Sequence, residues 1–143
     1  MFKLPYQSGT LTAEALDESG KIVSSHSLTT AGAETVLTLK PEKTVLHAGS
    51  QELCYLPIEF TDKSGNLKPY IEQRVEIKVE GAAALIGFGS ALCKTDEVFD
   101  KPFHNSYRGR CLAVLRAGNV PGKASITVKS AGCEPVTIEV EVI

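Results

Sequence analysis

With 143 residues, 43% of them apolar and 22% charged, the chain has the length and balance of one globular domain, with room for a fragment of a second. Fifteen basic against seventeen acidic residues give a net charge of −2, which excludes the basic face of an electrostatic nucleic-acid binder. No apolar run reaches the ~18–20 residues of a membrane span, and residues 1–6 hold no apolar stretch of the signal-peptide kind, so neither a membrane partner nor a signal peptide is expected.

The chain reads as β nearly throughout, in short alternating runs broken by turn chemistry about every 8–12 residues. Residues 10–16 alternate, residues 17–20 (Asp-Glu-Ser-Gly) turn, and residues 21–30 return, which predicts a β-hairpin. After Ala31, Gly32 and Ala33 a second organisation starts. Residues 36–39 and 44–46 are short strands separated by Pro41. Residues 52–61 form the clearest strand, with Cys54, Leu56, Ile58 and Phe60 on one face. Pro57 on the other face suggests an edge position or a bulge. Residues 74–80 alternate with Val75, Ile77 and Val79 facing in. Residues 82–89 are small and apolar, and Gly87 and Gly89 permit close backbone approach. A long irregular stretch covers residues 90–109. Strands follow at 111–116, 124–129 and 136–143. The predicted fold is all-β: an immunoglobulin-like sandwich over residues 34–143, preceded by a hairpin within residues 1–33.

Few residues carry a chemical signal. The acidic residues lie in turns or on polar strand faces, as Glu72, Glu76 and Glu80 do, and read as solvated surface rather than paired catalytic carboxylates. No Ser sits in a G-x-S-x-G turn, and Cys93 with His104 lies in an irregular segment that fixes no geometry. His26, His47 and His104 are far apart. Asp62, Ser64 and Asn66 imitate the start of a calcium loop, but Gly65 and Gln73 break the pattern, and a hairpin turn explains the residues better. No cofactor or metal is expected.

Four cysteines, at 54, 93, 111 and 133, have no C-x-x-C spacing and read as free thiols. They favour reducing surroundings, the cytoplasm over the periplasm. Cys54 and Cys111 fall on the inward faces of the strands that would be B and F of an immunoglobulin-like sandwich. Antibody-type domains place an inter-sheet disulfide there. Without the partner Trp, the two read as buried thiols facing one another, with a bond left open. The segment 90–110 is the candidate interaction loop: Phe99, Phe103, His104 and Tyr107 lie among Lys101, Arg108 and Arg110, the aromatic and Arg mixture that interface cores favour. A second use for Phe99 and Phe103 is to plug the end of the sandwich.

A family resemblance rests on motifs in order: Pro5-Tyr6-Gln7-Ser8-Gly9-Thr10-Leu11-Thr12-Ala13, Leu16-Asp17-Glu18-Ser19-Gly20-Lys21, Thr29-Thr30-Ala31-Gly32, Leu53-Cys54-Tyr55-Leu56, Ile58-Glu59-Phe60-Thr61-Asp62, Gly65-Asn66-Leu67, Gly87-Phe88-Gly89, and the run from Arg108 to Arg116. Together they resemble the end of the multidomain, β-galactosidase-like enzymes of bacterial glycoside hydrolase family 2. The resemblance implies that residues 1–33 are the last hairpin of a preceding immunoglobulin-like module and that the remainder is the C-terminal module. Met1 would then be a start within a longer protein. That family often has Gly-Asn-Gly where this chain has Phe88 between its glycines, so no role for that Asn carries over.

The resemblance further implies a parent that hydrolyses a β-glycosidic bond through two Glu on a barrel of roughly 250 residues. No catalytic residue of that barrel has a counterpart here. The expected function is a non-catalytic accessory module that braces the barrel or assists oligomer assembly. The expected partners are the parent's other domains, with self-association through the hairpin as a further option. Carbohydrate binding and an adhesin-like surface repeat, a pattern shared with invasin-type domains, are the alternatives.

Overall fold

The computed structural model describes residues 3–143; Met1 and Phe2, which open the expected hairpin segment, lie outside the described residues. Among the described residues there are eleven strands and no helix. β1 (Thr10–Leu16) and β2 (Ile22–Thr29) pair antiparallel as a separate two-stranded hairpin. Asp17 builds its turn, accepting the backbone N–H groups of Ser19 and Lys21.

The other nine strands form a two-sheet sandwich. One sheet runs in the order β3 (Val36–Leu39), β5 (Leu53–Thr61), β9 (Arg110–Ala117), β7 (Ala83–Gly89). The other runs β4 (Val45–Leu46), β11 (Val136–Val142), β10 (Gly122–Ser130), β6 (Arg74–Gly81), β8 (Phe103–Asn105). All pairings are antiparallel except β4 with β11. In immunoglobulin terms the first sheet is A-B-E-D, and the second is G-F-C with β4 added beside G and β8 beside C.

The strict alternation of these strands sends one set of side chains inward. Leu56, Ile58, Phe60, Ala113 and Leu115 from one sheet meet Val75, Ile126, Val128 and Val140 from the other, all with no exposed surface. At about 25 cal/mol per Å² of apolar surface removed from water, this layer is the main stabilising term of the fold.

Three expectations need correction. The irregular stretch 90–109 contains β8, three residues that pair with β6 through Arg74, Val75 and Glu76. Because β9 pairs with β5 and β7 within one sheet, the strand of Cys111 is E and not F. Cys54 and Cys111 therefore lie on neighbouring strands of one sheet, where Cys54 pairs with Leu115 and Cys111 with Ile58. They are offset by four register positions, about 13 Å at the strand rise. They do not face each other, and a disulfide, which needs Cα atoms within roughly 7 Å, cannot form. Finally, Pro57 is not on an edge. β5 lies between β3 and β9, and the proline nitrogen faces the β3 side just beyond that strand's last residue, where Lys40 N–H donates to the Pro57 carbonyl at 3.0 Å. Its missing donor thus leaves only the reciprocal bond to Lys40 unmade, at the point where β3 ends.

Candidate functional site

The segment between β7 and β9, which are neighbours in one sheet, adds β8 to the other sheet before returning, and its local sequence explains how. Phe88 N–H donates to the Phe99 carbonyl at 2.8 Å, which covers the open edge of β7. Gly89 lets the Phe99 ring lie close beside it, and a Cβ there would force that ring to shift. Gly87 has no such restraint, its nearest neighbour being Val114 at 3.9 Å. The Phe99 ring then stacks on His104 with centroids 5.5 Å apart, and Phe88 meets the same imidazole edge-on at 6.5 Å.

His104 is fully buried. Its Nδ1 donates to the Asn105 carbonyl at 2.9 Å in the tautomer that satisfies that bond, and Glu97 Oε2 lies 3.4 Å away. Glu97 Oε1 accepts the Asn105 N–H at 3.0 Å. The Nε2 atom of His104 has no partner, so this imidazole is packed as an aromatic plug between Phe88 and Phe99. Phe99 and Phe103 do not plug the end of the sandwich: Phe99 is 54% and Phe103 36% exposed.

The residues expected to form one interaction patch divide into local groups. Phe99 and His104 stack. Phe103 lies under the Arg74 guanidinium, 3.8 Å from its ring centroid. Tyr107 and Arg108 form the turn into β9, with Arg108 in the left-handed region at φ 49° and its guanidinium 5.5 Å from the Tyr107 ring. Arg110 projects from β9 and donates through Nε to Glu59 at 2.9 Å. Glu59 also accepts from Lys40 at 2.6 Å. Partial burial pushes its carboxyl up, but Lys40 and Arg110 together outweigh this and hold it below the ordinary value.

An open groove of about 540 Å³ runs along the outer face of β5, β9 and β7. Pro57, Leu112, Val114 and Phe99 make its floor and wall, with Arg110 at its rim. This apolar surface went unread in the sequence, although the outward alternation of Leu112 and Val114 was available to signal it. Its lining lacks the convergent polar groups that orient a reacting substrate. Among the described residues no three His, Cys, Asp or Glu side chains cluster to hold a metal ion. Asp62, at the calcium-like turn, is saturated by donors instead, accepting N–H groups from Gly32, Ser64 and Asn66 at 2.8–2.9 Å and the Asn66 amide at 2.9 Å.

The hairpin carries the other candidate surface. On one of its faces Thr10 meets Thr29 and Thr12 meets Ser27 through hydroxyl hydrogen bonds of 3.0 and 2.8 Å. On the opposite face Leu11 pairs with Leu28, Ala13 with His26 and Ala15 with Ser24. Every residue of both strands is exposed, including Leu11 at 53% and Leu28 at 63%.

The profile of the family described as glycoside hydrolase family 2 C-terminal domain 5 matches residues 37–139, the sandwich almost from end to end. A Bacteroides ovatus protein named beta-galactosidase BoGH2A is 29% identical over 139 residues, which is 97% of this chain and 16% of that protein. A solved glycosyl hydrolase family 2 member from Bacteroides cellulosilyticus superposes with a TM-score of 0.91 at 27% identity, over 98% of this chain and 18% of its own. A beta-glycosidase from Bacteroides vulgatus gives 0.90 at 27% identity, over 97% and 18%. The chain thus spans less than a fifth of the length of these relatives, and the matched part includes the hairpin. The sandwich, its ordered motifs and the family match agree: this chain belongs to the C-terminal domain 5 family of glycoside hydrolase family 2.

Proposed function

We propose that the chain is a non-catalytic accessory module of a glycoside hydrolase that cleaves β-glycosidic bonds, and that the β1–β2 hairpin belongs structurally to the module before it. The observation that carries this reading is the bare apolar face of the hairpin. A two-stranded hairpin is at best marginally stable in water. This one turns Leu11, Leu28, Ala13 and Ala15 to solvent, with His26 and Ser24 the polar members of that face, and exposes Leu16 and Ile22 near its turn as well. Relatives more than five times longer keep the same hairpin and sandwich. The apolar face completes the core of a neighbouring module in such a chain, and the sandwich follows as a brace for the catalytic barrel. Beta-galactosidase and beta-glycosidase, as the relatives are named, indicate the substrate class of the parent.

Incubating this chain with a nitrophenyl β-galactoside is expected to release no nitrophenol above the buffer rate; turnover that persists after purification would overturn the reading. Sedimentation at rising concentration tests the other use of the face. A monomer at all concentrations is expected if the hairpin fits a different module, whereas a dimer lost on Leu11→Ser would assign the face to self-association.

A further inference from the structure

Lys68 is 2% exposed, one of the largest fully buried side chains of the protein. A buried ammonium is costly unless its protons are all taken. Here they are: Nζ donates to the carbonyls of Ala33 and Glu34 at 2.8 and 2.6 Å and to Thr35 Oγ1 at 2.8 Å. All three acceptors lie in the segment that joins the hairpin to the sandwich. The stem of Lys68 is fixed as well. Its N–H donates to the Phe60 carbonyl at 2.8 Å, and its own carbonyl packs so closely on Gly109 that a side chain there would collide.

One residue earlier in the same connection, Gly32 N–H donates to Asp62 Oδ2 at 2.8 Å. Asp62 is itself 7% exposed and anchored in the turn after β5. A buried cation and a buried anion of the sandwich thus hold four consecutive residues, 32–35. At the other end Thr30 N–H closes the hairpin on the Gly9 carbonyl at 2.9 Å. Only Ala31 stands between the two sets of restraints.

We propose that Lys68 and Asp62 form a two-point lock on the connection between hairpin and sandwich, so that the hairpin projects from the sandwich in one fixed direction. Flexible linkers between modules carry few contacts and expose their backbone. This connection is exposed at Gly32, Ala33 and Glu34, yet two buried charges hold three of its backbone groups and the Thr35 hydroxyl outside any strand. Its use rests on the docking proposed above, since a fixed hairpin presents its apolar face to the neighbouring module already oriented and lowers the ordering cost of assembly. The lock itself is a property of this chain and is tested without that module.

The test uses residual dipolar couplings and amide hydrogen exchange of the full chain. One alignment tensor is expected to fit residues 10–29 and 53–142 together. In Lys68→Met two tensors are expected, with Gly32 amide exchange faster by about tenfold or more. Thr35→Val removes one of the three acceptors without touching the core, and a smaller rise at Gly32 is expected there even if Lys68→Met does not fold. Two tensors in the wild-type chain, or unchanged exchange at Gly32 in the variants, would overturn the lock whatever the fate of the docking proposal.

Discussion

The Asp62 carboxylate accepts the Gly32 N–H, both hydrogen bonds from Asn66 and the Ser64 N–H, and these donors lower its pKa from 3.8 to about 2. A carboxyl that is more acidic in the folded state stabilises the fold above its unfolded pKa and loses that contribution as pH falls through the folded value. Asp62 therefore contributes fully above about pH 5 and progressively less down to about pH 2. Asp62→Asn is expected to lower the denaturant midpoint at pH 7 and to change it little near pH 2. The cysteines obey the same physics with the opposite sign. Burial pushes the Cys111 thiol up to about 12, and the Glu97 charge adds to the shift. Cys54 is also buried, and Cys93 is exposed. Ellman's reagent is expected to label Cys93 at once and to leave Cys54 and Cys111 until the chain unfolds. A mild oxidant is expected to form no Cys54–Cys111 bond.

That last prediction marks where reading the sequence stopped. The inward placement of Cys54 and Cys111 was legible, because alternation along a strand assigns faces directly. Which sheet each strand joins was not, because pairing is set by contacts between strands distant in sequence, and β9 joins β5 and β7 rather than the opposite sheet. Lys68 was hidden for a related reason. Beside Asn66 and Pro69 it looks like any solvated loop lysine, and only the path of residues 33–35 overhead converts it into an anchor.

At the scale of elements, every strand but β8 coincides with an alternating or apolar run read from the sequence, since each carries a periodic signal or is bounded by turn residues. The candidate site fared less well. Its aromatics and arginines are close in sequence, but β8 turns Phe103 towards Arg74 while β9 takes Arg110 to the outer face beside Glu59. The energetic contrast between elements is testable. Ile58 is fully buried at the centre of β5, and Ile58→Ala is expected to cost about 2–5 kcal/mol in denaturant melts. Leu11 touches nothing comparable, and Leu11→Ser in this chain is expected to stay within about 0.5 kcal/mol. A large effect of the Leu11 change would mean that the hairpin already packs on the sandwich.

Considered whole, the molecule is a complete sandwich with an incomplete hairpin attached. The sandwich buries its apolar faces internally, and its order of strands places β5 and β9 side by side at the centre of one sheet. The hairpin buries nothing, yet it is tied to the sandwich by two buried charges. Order among weak motifs carried the family in the sequence, since they fall on successive strands and turns of the fold, with Gly89 under Phe99 at one close approach. The neighbour proposed for the hairpin was legible only as apolar residues on a segment too short to cover them.

Hydrogen exchange over residues 10–29 tests the central claim most directly, measured in this chain and again in a longer protein that carries the adjoining module. Burial of the Leu11 and Leu28 face in a neighbouring core is expected to slow hairpin amides by about a hundredfold or more in the longer protein. Equal exchange in the two would contradict the account, leaving the hairpin as an exposed appendage and the sandwich without its proposed attachment.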